Sequence, residues 1–257
     1  MLELRKVNKS FYGNKVLIDL NLTVNKDDFI TIIGSNGAGK TTLFNIISGK
    51  YTVDSGEIIL NSQNITNLKP HKRAKVIHRI FQDPLLGSSK SLTILENLAI
   101  VEAKTTGFGL DCTVKKKNIE KYVDLLKMVN LGLDKHLHTP VGLLSGGQKQ
   151  ALSLLMAILA KPQILLLDEH TAALDPETAQ VILKITEDLV KQEQLPTLMV
   201  THNLSDACRL GNRLIMLDKG RIVIDIKDEE KANLTPEYLL SLFKKQKVDI
   251  SDETLFS

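Results

Sequence analysis

The stretch Phe29-Ile30-Thr31-Ile32-Ile33-Gly34-Ser35-Asn36-Gly37-Ala38-Gly39-Lys40-Thr41-Thr42 decides the fold. Its first five residues are a continuous apolar and β-branched run, the pattern of a strand buried on both faces. Residues 34–41 match G-x-x-x-x-G-K-[ST], and from Lys40 to about Ser48 the pattern is helical. Strand, glycine-rich turn and helix together read as a phosphate cradle. Gly34, Gly37 and Gly39, with Ser35, Asn36 and Ala38 among them, let backbone N–H groups turn inward toward phosphate oxygens. The helix N-terminus adds its partial positive charge. Lys40 can reach β- and γ-phosphates, Thr41 offers a hydroxyl to Mg2+, and Thr42 is placed for a further phosphate contact.

On the N-terminal side, Leu2 to Val24 alternates and is rich in β-formers, which predicts antiparallel strands with a turn at Gly13-Asn14. On the C-terminal side, Glu57–Leu60 and Val76–Phe81 read as further strands. From about Pro84 to Lys161 the pattern becomes helical: Ile119, Val123 and Leu126 fall on one stripe, and Tyr122, Leu125 and Val129 on the next. Strand–helix alternation then resumes with Ile164–Leu167, a helix over Pro176–Lys191 with Ile182, Ile185 and Leu189 inward, and a strand over Leu198–Thr201. Such alternation predicts an α/β fold with a mostly parallel sheet covered by helices on both faces. Pro236–Lys247 reads as a closing amphipathic helix. The expected organisation is a single domain. Residues 1–83 and 162–257 form its core, with an N-terminal antiparallel β part, and residues 84–161 form an inserted helical subdomain.

Composition narrows the function classes. In 257 residues, 43% hydrophobic content supports a substantial core, and a net charge of +3 without a concentrated basic face argues against a nucleic-acid partner. The run Lys115-Lys116-Lys117 reads as a solvated stretch. Cys112 and Cys208 are far apart and in no metal-like spacing, which fits a reducing compartment. The N-terminus lacks the apolar core of a secretory signal. The most apolar run, Ala151–Ala160, contains Ser153 and is too short to cross a bilayer, so a membrane role is expected only through a partner.

Two further motifs carry chemistry. The apolar strand Ile164-Leu165-Leu166-Leu167 ends in adjacent carboxylates, Asp168 and Glu169. Alternation along a strand points them in different directions. Asp168 can hold a metal through water, and Glu169 can polarise an attacking water as general base. Leu144-Ser145-Gly146-Gly147-Gln148 is a helix N-terminus: Ser145 is an N-cap, Gln148 three residues on completes a capping box, and the glycines permit close approach to the backbone. Taken alone it is a well-capped helix; its company gives it more weight.

With these motifs in this order and spacing, the chain resembles an ABC-type ATPase, with a P-loop NTPase core, over nearly its whole length. The resemblance implies a head-to-tail dimer with a second copy of the chain, sandwiching two ATP molecules, with Ser145, Gly146, Gly147 and Gln148 acting across the interface. Phe11 falls where the family stacks an aromatic on adenine, and Tyr12 beside it leaves the assignment open by one residue. Gln82, in Ile80-Phe81-Gln82-Asp83-Pro84, matches the glutamine loop that senses Mg2+ or the lytic water. Asp175 matches the dimer-contact loop and is also a ready N-cap before Pro176. His202 matches the switch histidine that contacts the γ-phosphate. Glu169, His202, Gln82 and Lys40 are thus the expected catalytic set, with Thr41, Gln82 and Asp168 toward the metal.

The segment Asp168-Glu169-His170-Thr171-Ala172 departs from the family's usual Asp-Glu-Pro-Thr-Ser, and Lys149-Gln150-Ala151 stands where an arginine often continues the signature helix. His170 is expected to titrate near neutral pH if exposed. The wording around both motifs resembles a bacterial importer subgroup linked to amino acids, aromatic ones included. That resemblance implies integral membrane permease subunits, a solute-binding lipoprotein outside, and a place on the cytoplasmic face of the inner membrane. An exporter subunit is the alternative. A soluble ABC ATPase of translation or repair is disfavoured by the single ATPase half and the absence of heptads. A nucleotide kinase does not account for Leu144–Gln148 or His202, and a non-hydrolysing subunit does not account for the complete catalytic set.

Overall fold

Two sheets organise the computed structural model, which describes residues 1–106 and 118–245. Strands β1 (Leu2–Phe11) and β2 (Asn14–Val24) form the expected hairpin. Its turn residues are Tyr12 and Gly13, both at positive φ, as a two-residue hairpin turn requires. The turn therefore falls one residue earlier than Gly13-Asn14, and Asn14 already pairs with Phe11. After β3 (Phe29–Ile33) and α1 (Lys40–Ile47), strands β4 (Ser55–Leu60) and β5 (Gln63–Asn64) complete an antiparallel sheet of order β2-β1-β4-β5.

The second sheet is built from the parallel strands. A short helix α2 (Pro70–Arg73) leads into β6 (Ile77–Ile80). Helices α3 (Ile94–Thr106), α4 (Ile119–Lys127) and α5 (Gly146–Leu159) follow, then β7 (Ile164–Asp168), α6 (Pro176–Glu193) and β8 (Thr197–Val200). The chain ends its described part with α7 (Leu204–Arg209), β9 (Arg213–Asp218), β10 (Arg221–Lys227), α8 (Asp228–Ala232) and α9 (Pro236–Lys245). The order across the sheet is β10-β9-β3-β8-β7-β6, with only β10 antiparallel. Every residue of β3 and β8 is buried, which is why their sequences are apolar without alternation. Residue pairs such as Ile32 with Val200 and Leu167 with Met199 fix the register.

The β9–β10 hairpin lies between the expected Leu198–Thr201 strand and the closing helix. The helical segment from Pro84 onward packs as one body with the sheet: Leu98, Tyr122, Leu126 and Leu155 share a core with Leu165, Leu167 and Met199. Helix α5 is buried almost all round, which accounts for the apolar run at Ala151–Ala160. Among the described residues no helix is long and apolar enough to cross a membrane. Cys112, Lys115–Lys117 and Lys247 lie outside the described residues; Cys208 is buried.

Candidate nucleotide site

The neighbouring parallel strands β3, β8, β7 and β6 end along one edge of the sheet, the side on which α/β sheets bind ligands. Beyond β3 comes the cradle, beyond β8 His202, at the end of β7 Asp168 and Glu169, and beyond β6 Gln82. The sheet thus gathers four of the segments singled out in the sequence, although chain order and sheet order differ.

The cradle's geometry depends on two glycines. At Gly34, φ is +150° and a Cβ would sit 2.2 Å from the Leu217 carbonyl oxygen. At Gly39, the N-cap of α1, φ is +107° and a Cβ would meet Leu17 Cδ2 at 2.8 Å and Val16 O at 2.9 Å. No side chain caps α1, so its first amides face the cradle. The helix is anchored behind by Leu43, Phe44, Ile46 and Ile47, all fully buried, each stabilising by roughly 1.5–3 kcal/mol. Its C-terminal end is held by the buried Arg73, which donates to the carbonyls of Ile46, Ile47, Thr66 and Leu68. Lys40 is buried, and its Nζ donates to Gly34 O and, at 3.0 Å, to Ser35 O.

At the acidic strand end the two carboxylates diverge, as alternation requires. Glu169, at φ 49°, receives a hydrogen bond from His202 Nε2 on its Oε1 at 2.7 Å. That donor, with the charges of His202 and Lys40, holds the Glu169 carboxyl below the usual carboxylate range against the opposing effect of burial. Asp168 turns the other way and pairs with Arg79 of β6, a residue the sequence reading did not single out. Arg79 also donates to Asn45 Oδ1 at 2.7 Å, and Asn45 lies one helical turn beyond Thr41. Asp168 therefore faces the side of α1 that carries the Thr41 hydroxyl.

Ser145 and Gln148 form the expected capping box: Ser145 Oγ accepts from Gln148 N, and Gln148 Oε1 accepts from Ser145 N. Ser145 and Gly146 are exposed, whereas Gly147 is buried against Thr178. A Cβ on Gly147 would come within 2.5 Å of Thr178 Cγ2. What approaches that glycine within the chain is thus the first turn of α6. Asp175 caps the same helix, accepting from Thr178 N at 3.0 Å, and this bond lowers its carboxyl. Both roles expected for Asp175 are open, since its side chain is exposed at the tip.

Phe11 packs edge-on against Tyr51 with ring centroids 5.1 Å apart, while Tyr12 projects fully into solvent at the hairpin tip. Gln82 is exposed where β6 runs into a 3-10 turn, Pro84–Gly87, capped by Asp83. His170 does not meet the condition, exposure, under which it would titrate near neutral pH. It is 2% exposed and donates to Thr186 Oγ1, whose own hydroxyl is given to Ile182 O. Burial pushes its pKa down to about 4, so it is neutral at neutral pH.

A glycine cradle, an acid-ended strand and a histidine on the acid define a nucleotide-hydrolysing P-loop protein. The family described as ABC transporter matches residues 17–172. Over 251 residues the chain is 47% identical to a tyrosine transport ATP-binding protein of Clostridioides difficile, covering 95% of this chain and 99% of that one. It is 33% identical to the spermidine/putrescine import ATP-binding protein PotA of Haemophilus influenzae over 91% of its own length, and spans 61% of that relative. Among solved structures, the ADP form of an ABC transporter's ATP-binding cassette superposes with TM-score 0.80 at 28% identity, covering 98% of this chain and 99% of that one. A dimeric post-hydrolysis cassette bound to ADP and Pi gives TM-score 0.75 at 26% identity, covering 88% and 98%. The chain belongs to the ABC transporter family, as its ATP-binding, ATP-hydrolysing subunit.

Proposed function

We propose that this subunit powers a bacterial importer of amino acids, aromatic ones included, as a nucleotide-sandwich dimer beneath separate permease subunits, on the cytoplasmic face of the membrane and with a solute-binding lipoprotein outside. The observation that carries the reading is the near full-length similarity to a tyrosine transport ATP-binding protein. The division into a core of residues 1–83 and 162–257 and a helical subdomain of residues 84–161 belongs to the same reading.

In this mechanism the cradle amides and Lys40 hold the triphosphate. Phe11, backed by Tyr51, stacks on adenine, which the exposure of Tyr12 at the turn favours. Glu169 orients and deprotonates the attacking water, and His202 fixes the Glu169 carboxylate and reaches toward the γ-phosphate. The exposed Ser145 and Gly146 close over the partner copy's nucleotide, with Gly147 and Gln148 shaping that helix start. Gln82 and the exposed Leu86 offer the surface through which closure reaches the permease.

The residues present fit Mg2+. Thr41 and Asp168 are hard oxygen donors on facing elements, Gln82 adds an amide oxygen, and Mg2+ characteristically combines one or two protein oxygens with phosphate and water. When bound, the ion neutralises phosphate charge.

Uptake of labelled tyrosine, in cells carrying the native subunit or Glu169→Gln, tests the reading. Uptake abolished by the substitution supports it. Tyrosine uptake equal in both, with ATP hydrolysis lost in the variant, sinks the amino-acid assignment.

A further inference from the structure

Arg79 occupies a position that ordinary packing does not require. Its guanidinium is almost wholly buried, with side-chain exposure of 9%. One nitrogen pairs with Asp168 Oδ2 and another with Asn45 Oδ1, while Nε is buried without a hydrogen-bond partner. The rings of Phe44 and Phe81 lie 5.7 and 4.8 Å from the guanidinium carbon. Phe44 belongs to the helix behind the cradle, and Phe81 immediately precedes Gln82. Burying a cation carries a desolvation cost, and an apolar side chain between two rings would avoid it. What the charge does here is neutralise Asp168.

We propose that Arg79 is a positioning residue acting through Asp168: a resident counter-cation that shares the carboxylate with the metal and so weakens the hold on Mg2+. This rests on the reading of Asp168 as a metal-side acid. A lone buried carboxylate attracts a divalent cation strongly, and a fixed positive charge bonded to it opposes that attraction in a medium that screens poorly. Competition between the two cations outweighs the entropy saved by holding one short side chain still. Arg79 thereby eases the departure of Mg2+ with ADP, when Asp168 returns wholly to the guanidinium.

The test is the Mg2+ concentration at which fluorescent mant-ADP binding to the purified full chain is half-maximally strengthened. Arg79→Met should lower it by about tenfold, leaving metal-free mant-ADP affinity within twofold. Arg79→Lys, which keeps the charge, should stay near the native value. Should Arg79→Met fail to fold, Arg79→Gln, able to donate to Asp168, carries the same expectation. An unchanged Mg2+ requirement in the neutral variant reduces Arg79 to a structural residue, and a raised one means that it only orients Asp168; either result overturns the proposal. Asp168→Asn separates the premises. If it too leaves the requirement unchanged, the metal assignment of Asp168 falls; if it raises the requirement while Arg79→Met changes nothing, only the inference about Arg79 falls.

Discussion

His202 Nε2 and Glu169 Oε1 lie 2.7 Å apart, though one residue follows β8 and the other follows β7. The pairing of β7 with β8 brings the two loops side by side, so base and histidine form one unit. Replacing the base should therefore stop turnover without unmaking the cradle. Glu169→Gln is expected to lower ATP hydrolysis by about 10²–10⁴ and to accumulate a dimer when ATP is added, read by light scattering. Normal turnover in this variant would remove Glu169 from the chemistry.

The same contact sets a pH dependence. The bond from His202 keeps the Glu169 carboxyl below its usual value, so the acid limb of the rate profile lies low. Without the donor, burial dominates and the pKa rises. His202→Ala should shift that limb to higher pH in single-turnover measurements, and His202→Gln, which retains a donor, should shift it less.

The approach of Gly147 to Thr178 predicts a steric pair. Gly147→Ala places a methyl 2.5 Å from Thr178 Cγ2 and should destabilise the fold by about 1–3 kcal/mol in urea unfolding. Adding Thr178→Ser, which removes that methyl and keeps the hydroxyl, should restore most of the loss. If Gly147→Ala instead leaves stability unchanged, helix α5 does not rest on α6 as described.

His170 predicts the acid side of stability. Its folded pKa, about 4, lies below the unfolded value near 6.5, so the unfolded chain binds more protons between those limits. Stability therefore falls as pH drops through that window, by up to about 3 kcal/mol from this residue. In His170→Asn the fall between pH 6.5 and 4 should be shallower; an identical slope would mean that His170 is not buried neutral.

The cradle, β7 and α6 were legible because their signals are local: an apolar run, glycines at fixed offsets, and an aspartate before a proline. The β9–β10 hairpin also has a local signal, Lys219-Gly220 between two apolar runs, both at positive φ, yet the sequence reading passed from Thr201 to Pro236. Arg79 had none. In sequence it is one cation beside His78 in a short strand, Ile77–Ile80, and only the packing of α1 against β6 and β7 supplies its rings and carboxylate. His170 was similar: the sequence left its exposure open, and only the fold buries it and brings it to Thr186 on α6. The contact of Gly147 with Thr178 joins two motifs that the sequence presents as separate.

The cradle strand β3 has β8 on one side and β9 on the other, and both come far later in the chain. As the polypeptide leaves the ribosome, the strand that precedes Gly34 has no sheet neighbour until residues near 200 have been made, and lacks the second until residues near 218. A nascent chain can carry the whole phosphate-binding motif and still lack the frame that aims it. Competence to take up nucleotide thus reports that synthesis has passed β9, and a chain cut short between Lys40 and His202 would expose an apolar strand, suited to chaperone capture, in place of a working site.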